Sequence, residues 1–408
     1  MRRPLVDVLC RSCSDARGAK CYSSAHTTSR STSDPGRTAG AVRPVRRGFR
    51  RGLAVGALSG LVAVVAAEAV RPRGGSTLLL DWDEVTRLAT AGLREERVAP
   101  ERLASAAAAY SGLAADLTSP LLETLGGLPA GARLPEFQAL DRAGWLELNV
   151  GILRRVMEPL AAVTRVPESW LAVAGRAGLN RYVALMLVYL GRRVLGQFDP
   201  QLLGREPVQS ALYLVEPNVA VWERQGELDG GDLRRWLILH EMTHAWQFAG
   251  HPWLREHLDR QIETLVSLAV SSATAGGLRR VRAVAIGAPS QWDLVRRMQA
   301  TMSLVEGHGN LVMSLVGQRA LPSFARLDAA YRRRGGERGP LERLLWRVTG
   351  LEMKLEQYRA GERFARAVHD RYGMRALNRA WEGPESLPWP EELGAPDRWY
   401  RRVVRGSR

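Results

Sequence analysis

The tightest constraint in this chain of 408 residues is the pentapeptide His240-Glu241-Met242-Thr243-His244, set inside Leu233–Phe248. The segment reads as an amphipathic helix. Asp232 follows Gly230-Gly231 and can cap its N-terminus, and Gly250 and Pro252 stop it at the other end. Residues four apart share a helical face about a turn apart, so His240 and His244 project together. That spacing suits two ligands of one tetrahedral zinc. Glu241 stands beside the first ligand, where its carboxylate can take the proton of an attacking water.

A third ligand has to come from elsewhere in the chain. A helix expected to begin at Pro289-Ser290, with Ser290 and Asp293 as a capping-box-like pair, supplies the best candidate. Met298, Met302, Val305, Gly309, Val312 and Val316 recur along it at helical spacing as a buried stripe, and Glu306 falls at the stripe's edge. A carboxylate facing a core is costly unless it is paired or bound to metal. The competing reading is a buried Glu–Arg pair in an Arg-rich chain. Gly307 and Gly309 flank the carboxylate and permit close approach of another element. His308 lies about 200° around the helix from Glu306, so the two cannot easily face one metal. Asn310 shares the Glu306 face and can hydrogen-bond a ligand. Further on, Lys354, Tyr358 and Gly361 line one face of a helical block over Leu341–Trp381, broken near Gly373. Tyr358 is a candidate donor to an oxyanion, against the plainer reading of an amphipathic core tyrosine.

The net charge of +16 raises the question of nucleic acid. Residues 1–73 hold 14 Lys and Arg against 4 Asp and Glu, which leaves only +6 on the remaining 335 residues. The charge therefore belongs to a front segment without interleaved aromatics, and no nucleic-acid partner is expected. Residues 1–45 read as a disordered basic tail, or as sequence upstream of the true start. All three cysteines lie in it. Cys10 and Cys13 have zinc-ribbon spacing but no second pair. Residues 46–75 resemble a signal or anchor, with Arg46-Arg47 and Arg50-Arg51 before the uncharged run Gly52–Ala67. That run of 16 residues falls short of the ~20 needed to span a bilayer. If the segment is a signal, the protein is exported or anchored, with membrane contact through 52–70. If not, it is cytoplasmic.

Residues 76–408 form the expected catalytic domain. Its segments are mostly apolar at helical spacing: one helix ends at Leu93 behind Asp81 or Asp83, and an Ala-rich segment over 101–116 precedes a separate helix over Pro120–Leu125. Phe137–Ala162 and the long stretch Trp170–Leu195 follow, the latter too charged for a clean membrane span. Gly196–Pro200 reads as a turn. Ala211–Trp222 reads as a strand, whose exposed edge can pair with extended peptide. The fold class expected is mainly α, with a small β element before the motif helix.

Five blocks resemble the zincin-like metallopeptidase family of actinobacteria, whose members are often labelled coenzyme F420 biosynthesis associated. They are Leu195–Pro200 (LGQFDP), His240–Phe248 (HEMTHAWQF), Leu304–Met313 (LVEGHGNLVM), Met353–Gly361 (MKLEQYRAG) and Trp381–Pro388 (WEGPESLP), spread over about 78–400. The resemblance implies a multihelical zincin-like domain with Zn2+ held by His240, His244 and Glu306. It implies no substrate, and the F420 label speaks of gene association more than chemistry. Better-known metzincins need Gly and His where this chain has Gln247 and Gly250, and His251 reads as a residue of the loop after the helix. The leading expectation is a zinc metallopeptidase or amide hydrolase acting on a peptide or protein, with Glu241 as general base. The alternative is a zinc-stabilised scaffold without turnover, distinguished by whether a fourth position on the metal is closed or open.

Overall fold

The computed structural model describes residues 76–406, apart from 79, 94–96, 164, 168–169, 201, 204–210, 275–288 and 337–350. The expectations for residues 1–75, including Cys10, Cys13, Cys21 and the signal-like segment, lie outside the described residues. Strand β1 (Ser76–Leu78) pairs with β3 (Arg165–Pro167) in an antiparallel ribbon. Helices α1 (Trp82–Leu93) and α2 (Pro100–Leu125) follow, then β2 (Phe137–Leu140), α3 (Arg142–Val163), α4 (Trp170–Gly191), β4 (Gly196–Asp199) and β5 (Ala211–Val215). The chain continues as α5 (Glu216–Gly226), α6 (Gly230–Ala249), α7 (Pro252–Thr274), α8 (Pro289–Ala320), α9 (Phe324–Gly336) and α10 (Leu351–Tyr372). It ends in the short helices α11 (Met374–Asn378) and α12 (Pro396–Tyr400). The mainly helical fold with a small sheet is as expected, and among the described residues no helix is long and apolar enough to cross a membrane.

The sheet has the order β2-β5-β4, with β2 parallel and β4 antiparallel to β5. Its alternating side chains feed two cores. Leu212 and Leu214 of β5 join Phe137 and the helices α2, α6, α7, α8, α9 and α10 in the larger core. Val215 instead joins the smaller core of α1, α3 and α4, around Trp145, Leu146 and Val85. The same alternation splits β4. Gln197 accepts hydrogen bonds from Trp145 Nε1 at 2.9 Å and Asn149 Nδ2 at 3.1 Å on α3. Phe198 meets Phe248 of α6, with ring centroids 5.4 Å apart.

Several local expectations are corrected. The strand Ala211–Trp222 ends at Val215, because Pro217 sits in the first turn of α5, where its missing N–H costs nothing. In place of the turn over Gly196–Pro200, Gly196–Asp199 is the edge strand β4, and the carbonyl of the preceding Leu195 accepts from Val215 N at 2.8 Å. The Ala-rich segment and Pro120–Leu125 are one helix, α2, continuous through Pro120; Leu117, Leu121 and Leu125 are buried in the core and outweigh the lost backbone bond. Phe137–Leu140 is strand and not the start of the following helix. Asp81 does cap α1, its Oδ1 accepting from Glu84 N at 3.0 Å. The cap of α6 is Asp229, which accepts from Asp232 N at 2.7 Å. Asp232 is buried and accepts from Ser323 N and Oγ instead. Asp293 pairs with Arg297 Nε at 2.9 Å.

Helix α6 is not amphipathic. Leu233, Trp236–Leu239 and Glu241–Phe248 are all buried, as expected of a helix enclosed on every side. Against it lies α8, and against α8 lies α10, crossing at glycines. A Cβ on Gly307 would overlap the Gly361 carbonyl carbon, and one on Gly361 would overlap the Ser303 carbonyl oxygen. Glycine inside an open helix costs about 1 kcal/mol relative to alanine. Gly361→Ala should therefore stabilise the protein if this crossing had slack. With backbone in the way, we expect a loss of about 2–3 kcal/mol from overpacking, read as a lower denaturant midpoint at constant slope.

Candidate metal centre

The one-turn spacing on α6 puts the His240 and His244 rings edge to face, 4.6 Å between centroids, with their Nε2 atoms 3.1 Å apart. Glu306 reaches them from α8. Its Oε2 lies 3.9 Å from His240 Nε2 and 3.8 Å from His244 Nε2. In the middle of α8, from Ser303 to Met313, Glu306 and Asn310 are the residues not fully buried, and they share one face. That face opens on the histidines. Among the described residues Glu306 pairs with the two histidines and with no arginine.

The glycines expected to permit close approach do so in two directions. Gly307 receives α10. Gly309 receives the imidazoles: a Cβ there would stand 3.3 Å from His244 Cε1 and 3.6 Å from His240 Cε1. His308 points the other way. It is fully buried, stacks on Trp246 at 5.8 Å between centroids, and uses its two ring nitrogens on Gln247 and Asn378. It is not available as a ligand. His251 follows the helix, as expected, and packs between Trp246 and Trp381.

Glu241 is buried beside the histidines at 5% exposure. Strand β4 lies directly against it. A Cβ on Gly196 would stand 2.6 Å from Glu241 Oε1, so a side chain there would displace the carboxylate. The Phe198 backbone amide hydrogen-bonds the carboxylate. Burial, then the nearby Glu306 carboxylate, push the Glu241 pKa up to about 8, against the pull of the Phe198 N–H. Burial, then His244, hold His240 well below the ordinary imidazole range, so it is neutral, the state in which imidazole binds a metal.

The three expected ligands are thus brought together, with ligand atoms within 4.8 Å of one another. Two nitrogens and a carboxylate oxygen are a zinc donor set, and bonds of about 2.0–2.2 Å at tetrahedral angles hold ligand atoms roughly 3.3–3.6 Å apart. The 3.1, 3.8 and 3.9 Å separations bracket that value. Among the described residues His240 Nδ1 and Asn310 Oδ1 are both buried without a hydrogen-bond partner, so Asn310 Oδ1 does not support a ligand there as expected. Tyr358 belongs to α10, but its side chain lies outside the described residues. Three participants carry no clear signal in the sequence. Gly196 and Phe198 lie in the LGQFDP block, read as a turn, and Gln247 was noted only as a departure from metzincins. Its position three residues after His244, on the same face, was the available signal.

If these residues hold zinc, Glu306→Ala removes one of three protein ligands. Zinc per folded chain should fall from near one to well below half at micromolar metal, with thermal stability dropping alongside it. Full zinc retention would remove Glu306 from the site.

Residues 80–400 match the family described as zincin-like metallopeptidase. Among solved structures, a protein from Chloroflexus aurantiacus, provisionally described as a hydrolase with a novel fold, is 32% identical. The similarity covers 80% of this chain and 99% of that one, at a TM-score of 0.60. No curated protein matches the chain. A family match that spans the motif helix, the Glu306 helix and the sheet between the two cores leaves one conclusion: the chain belongs to the zincin-like metallopeptidase family.

Proposed function

We propose that the protein is a zinc-dependent hydrolase of peptide or related amide bonds, with His240, His244 and Glu306 holding the metal and Glu241 as general base. The observation that carries this reading is the convergence of the three ligand atoms with a buried second carboxylate, Glu241, beside them. Zinc bound there would supply a Lewis acid for a carbonyl oxygen and would acidify a water. Glu241 takes the proton of the attacking water and passes it to the leaving amine. Its burial favours accepting that proton, and the Phe198 N–H keeps the carboxylate turned toward the site.

Strand β4 supports an extended substrate. Leu195 bonds β5 through its carbonyl, so alternation turns the amide groups of Gly196 and Phe198 away from β5, toward the free edge. Phe198 N–H is taken by Glu241. The remaining groups on that edge can pair with a peptide backbone, placing it next to the general base. The edge suited to this is that of β4, since β5 is flanked by strands on both sides. The blocks LGQFDP, HEMTHAWQF and LVEGHGNLVM all contribute to this arrangement. They favour the F420-associated actinobacterial branch of the family, a label that carries no substrate.

Metal-loaded protein should cleave members of an unbiased peptide library, and Glu241→Gln should keep about one zinc per chain while lowering cleavage by at least ~10³-fold, as expected for loss of a general base beside a metal. Stoichiometric zinc with no cleavage of any peptide by the wild type would instead favour a zinc-stabilised scaffold. Cleavage by Glu241→Gln at the wild-type rate would refute the assigned mechanism.

A further inference from the structure

A run of buried hydrogen bonds leaves His244 on the side away from Glu306. His244 Nδ1 meets Gln247 Oε1 at 2.9 Å. Gln247 Nε2 donates to Val305 O at 2.9 Å and meets His308 Nδ1 at 3.0 Å. His308 Nε2 meets Asn378 Oδ1 at 3.4 Å, and Asn378 Nδ2 donates to Leu125 O at 2.7 Å. The run ties α6 to α8, α11 and the C-terminal end of α2. Gln247 and His308 have no exposed surface, and His244 has 7%.

Its two ends determine every proton between them. Val305 O and Leu125 O are backbone carbonyls and only accept. Gln247 must therefore turn its NH2 toward Val305, which leaves Oε1 as an acceptor for His244. His244 then carries its proton on Nδ1. The second N–H of Gln247 needs an acceptor, so His308 Nδ1 is bare and His308 Nε2 carries the proton. Asn378 must donate to Leu125, so its Oδ1 is the acceptor His308 needs. Flipping either amide would set two acceptors against each other at 2.7–2.9 Å inside the core.

We propose that Gln247 is a positioning residue for the metal: it fixes His244 as the Nδ1–H tautomer, with the Nε2 lone pair aimed at His240 and Glu306. His308 and Asn378 are the supports that hold the Gln247 amide in the one orientation that does this. This rests on the metal reading of His240, His244 and Glu306. The effect is specific to His244. Without the Gln247 acceptor, the proton is free to move to Nε2, the atom that faces the other two ligands, and must be expelled before metal binds. Among the described residues His240 Nδ1 has no equivalent partner.

Two measurements on the full chain test this. In metal-free wild type labelled with 15N-histidine, the ring-nitrogen shifts of His244, assigned by comparison with His244→Gln, should report the neutral Nδ1–H tautomer. Zinc affinity should then be measured by competition with a chromophoric chelator for wild type, Gln247→Met and, as the ligand control, Glu306→Ala. Gln247→Met preserves length and removes both hydrogen-bonding groups, and should weaken zinc binding about 10–100-fold, the usual effect of losing such a support. A His244 in the Nε2–H form in the wild type overturns the proposal, whether or not the variant folds. So does a folded Gln247→Met within about twofold of the wild-type zinc affinity. If wild type and Glu306→Ala both fail to bind zinc while His244 shows the Nδ1–H tautomer, the metal reading has failed and the tautomer assignment has not.

Discussion

At the crossing of α8 and α10, Gly307 and Gly361 bring two helix backbones together with no side chain between them. The consequences reach the metal centre through one turn of helix. Gly307 sits next to Glu306, so the depth at which α10 seats against α8 sets the height of the carboxylate. Gly309, two residues on, lets the opposite side of α8 approach the imidazoles of His240 and His244. Between them these two glycines hold α8 close to α10 on one side and to α6 on the other. A helix packed this way has no room to slide, because close-packed interiors do not yield by small steps.

Against that packing, polar groups are placed with economy. The interior of α6 carries His240, Glu241, Thr243, His244 and Gln247 within a length otherwise filled by leucine, tryptophan and phenylalanine. Unpaired, such groups would cost several kcal/mol in total, since each buried polar group without a partner loses roughly 1–3 kcal/mol. Thr243 bonds back to Leu239 O, Gln247 to Val305 O, and Glu241 to the Phe198 amide. The two Nε2 positions and the Glu306 carboxylate converge. On this helix His240 Nδ1 and Trp236 Nε1 are buried with no hydrogen-bond partner among the described residues.

The sheet has a similar economy. Three short strands separate two hydrophobic cores, and β4 contributes different things to each side. Gln197 anchors it to α3. Gly196 and Phe198 border Glu241 on the other face, and the Glu241 carboxylate occupies the space a side chain at Gly196 would take.

The sequence alone marked out the candidate ligands. The four-residue spacing of His240 and His244, the isolated Glu306 on an apolar stripe, and the glycines around it are local patterns, and helical periodicity is enough to read them. It also determined the mainly helical class, and that Gly307 and Gly309 mark close approaches. It did not determine which elements make those approaches, because Gly361 and Gly307 are 54 positions apart and helical periodicity carries no record of a partner. Nor did it determine the strand at Gly196–Asp199. Four residues containing glycine and aspartate resemble a turn in isolation, and they are extended because β5 offers a ladder on one side and α6 a surface on the other. Gln247 is the clearest case. As a residue in a helix it is ordinary, and its orientation, with the proton position it imposes on His244, follows from where the Val305 and Leu125 carbonyls come to rest. Those positions belong to the packing of four separate segments, and only the tertiary structure brings them together.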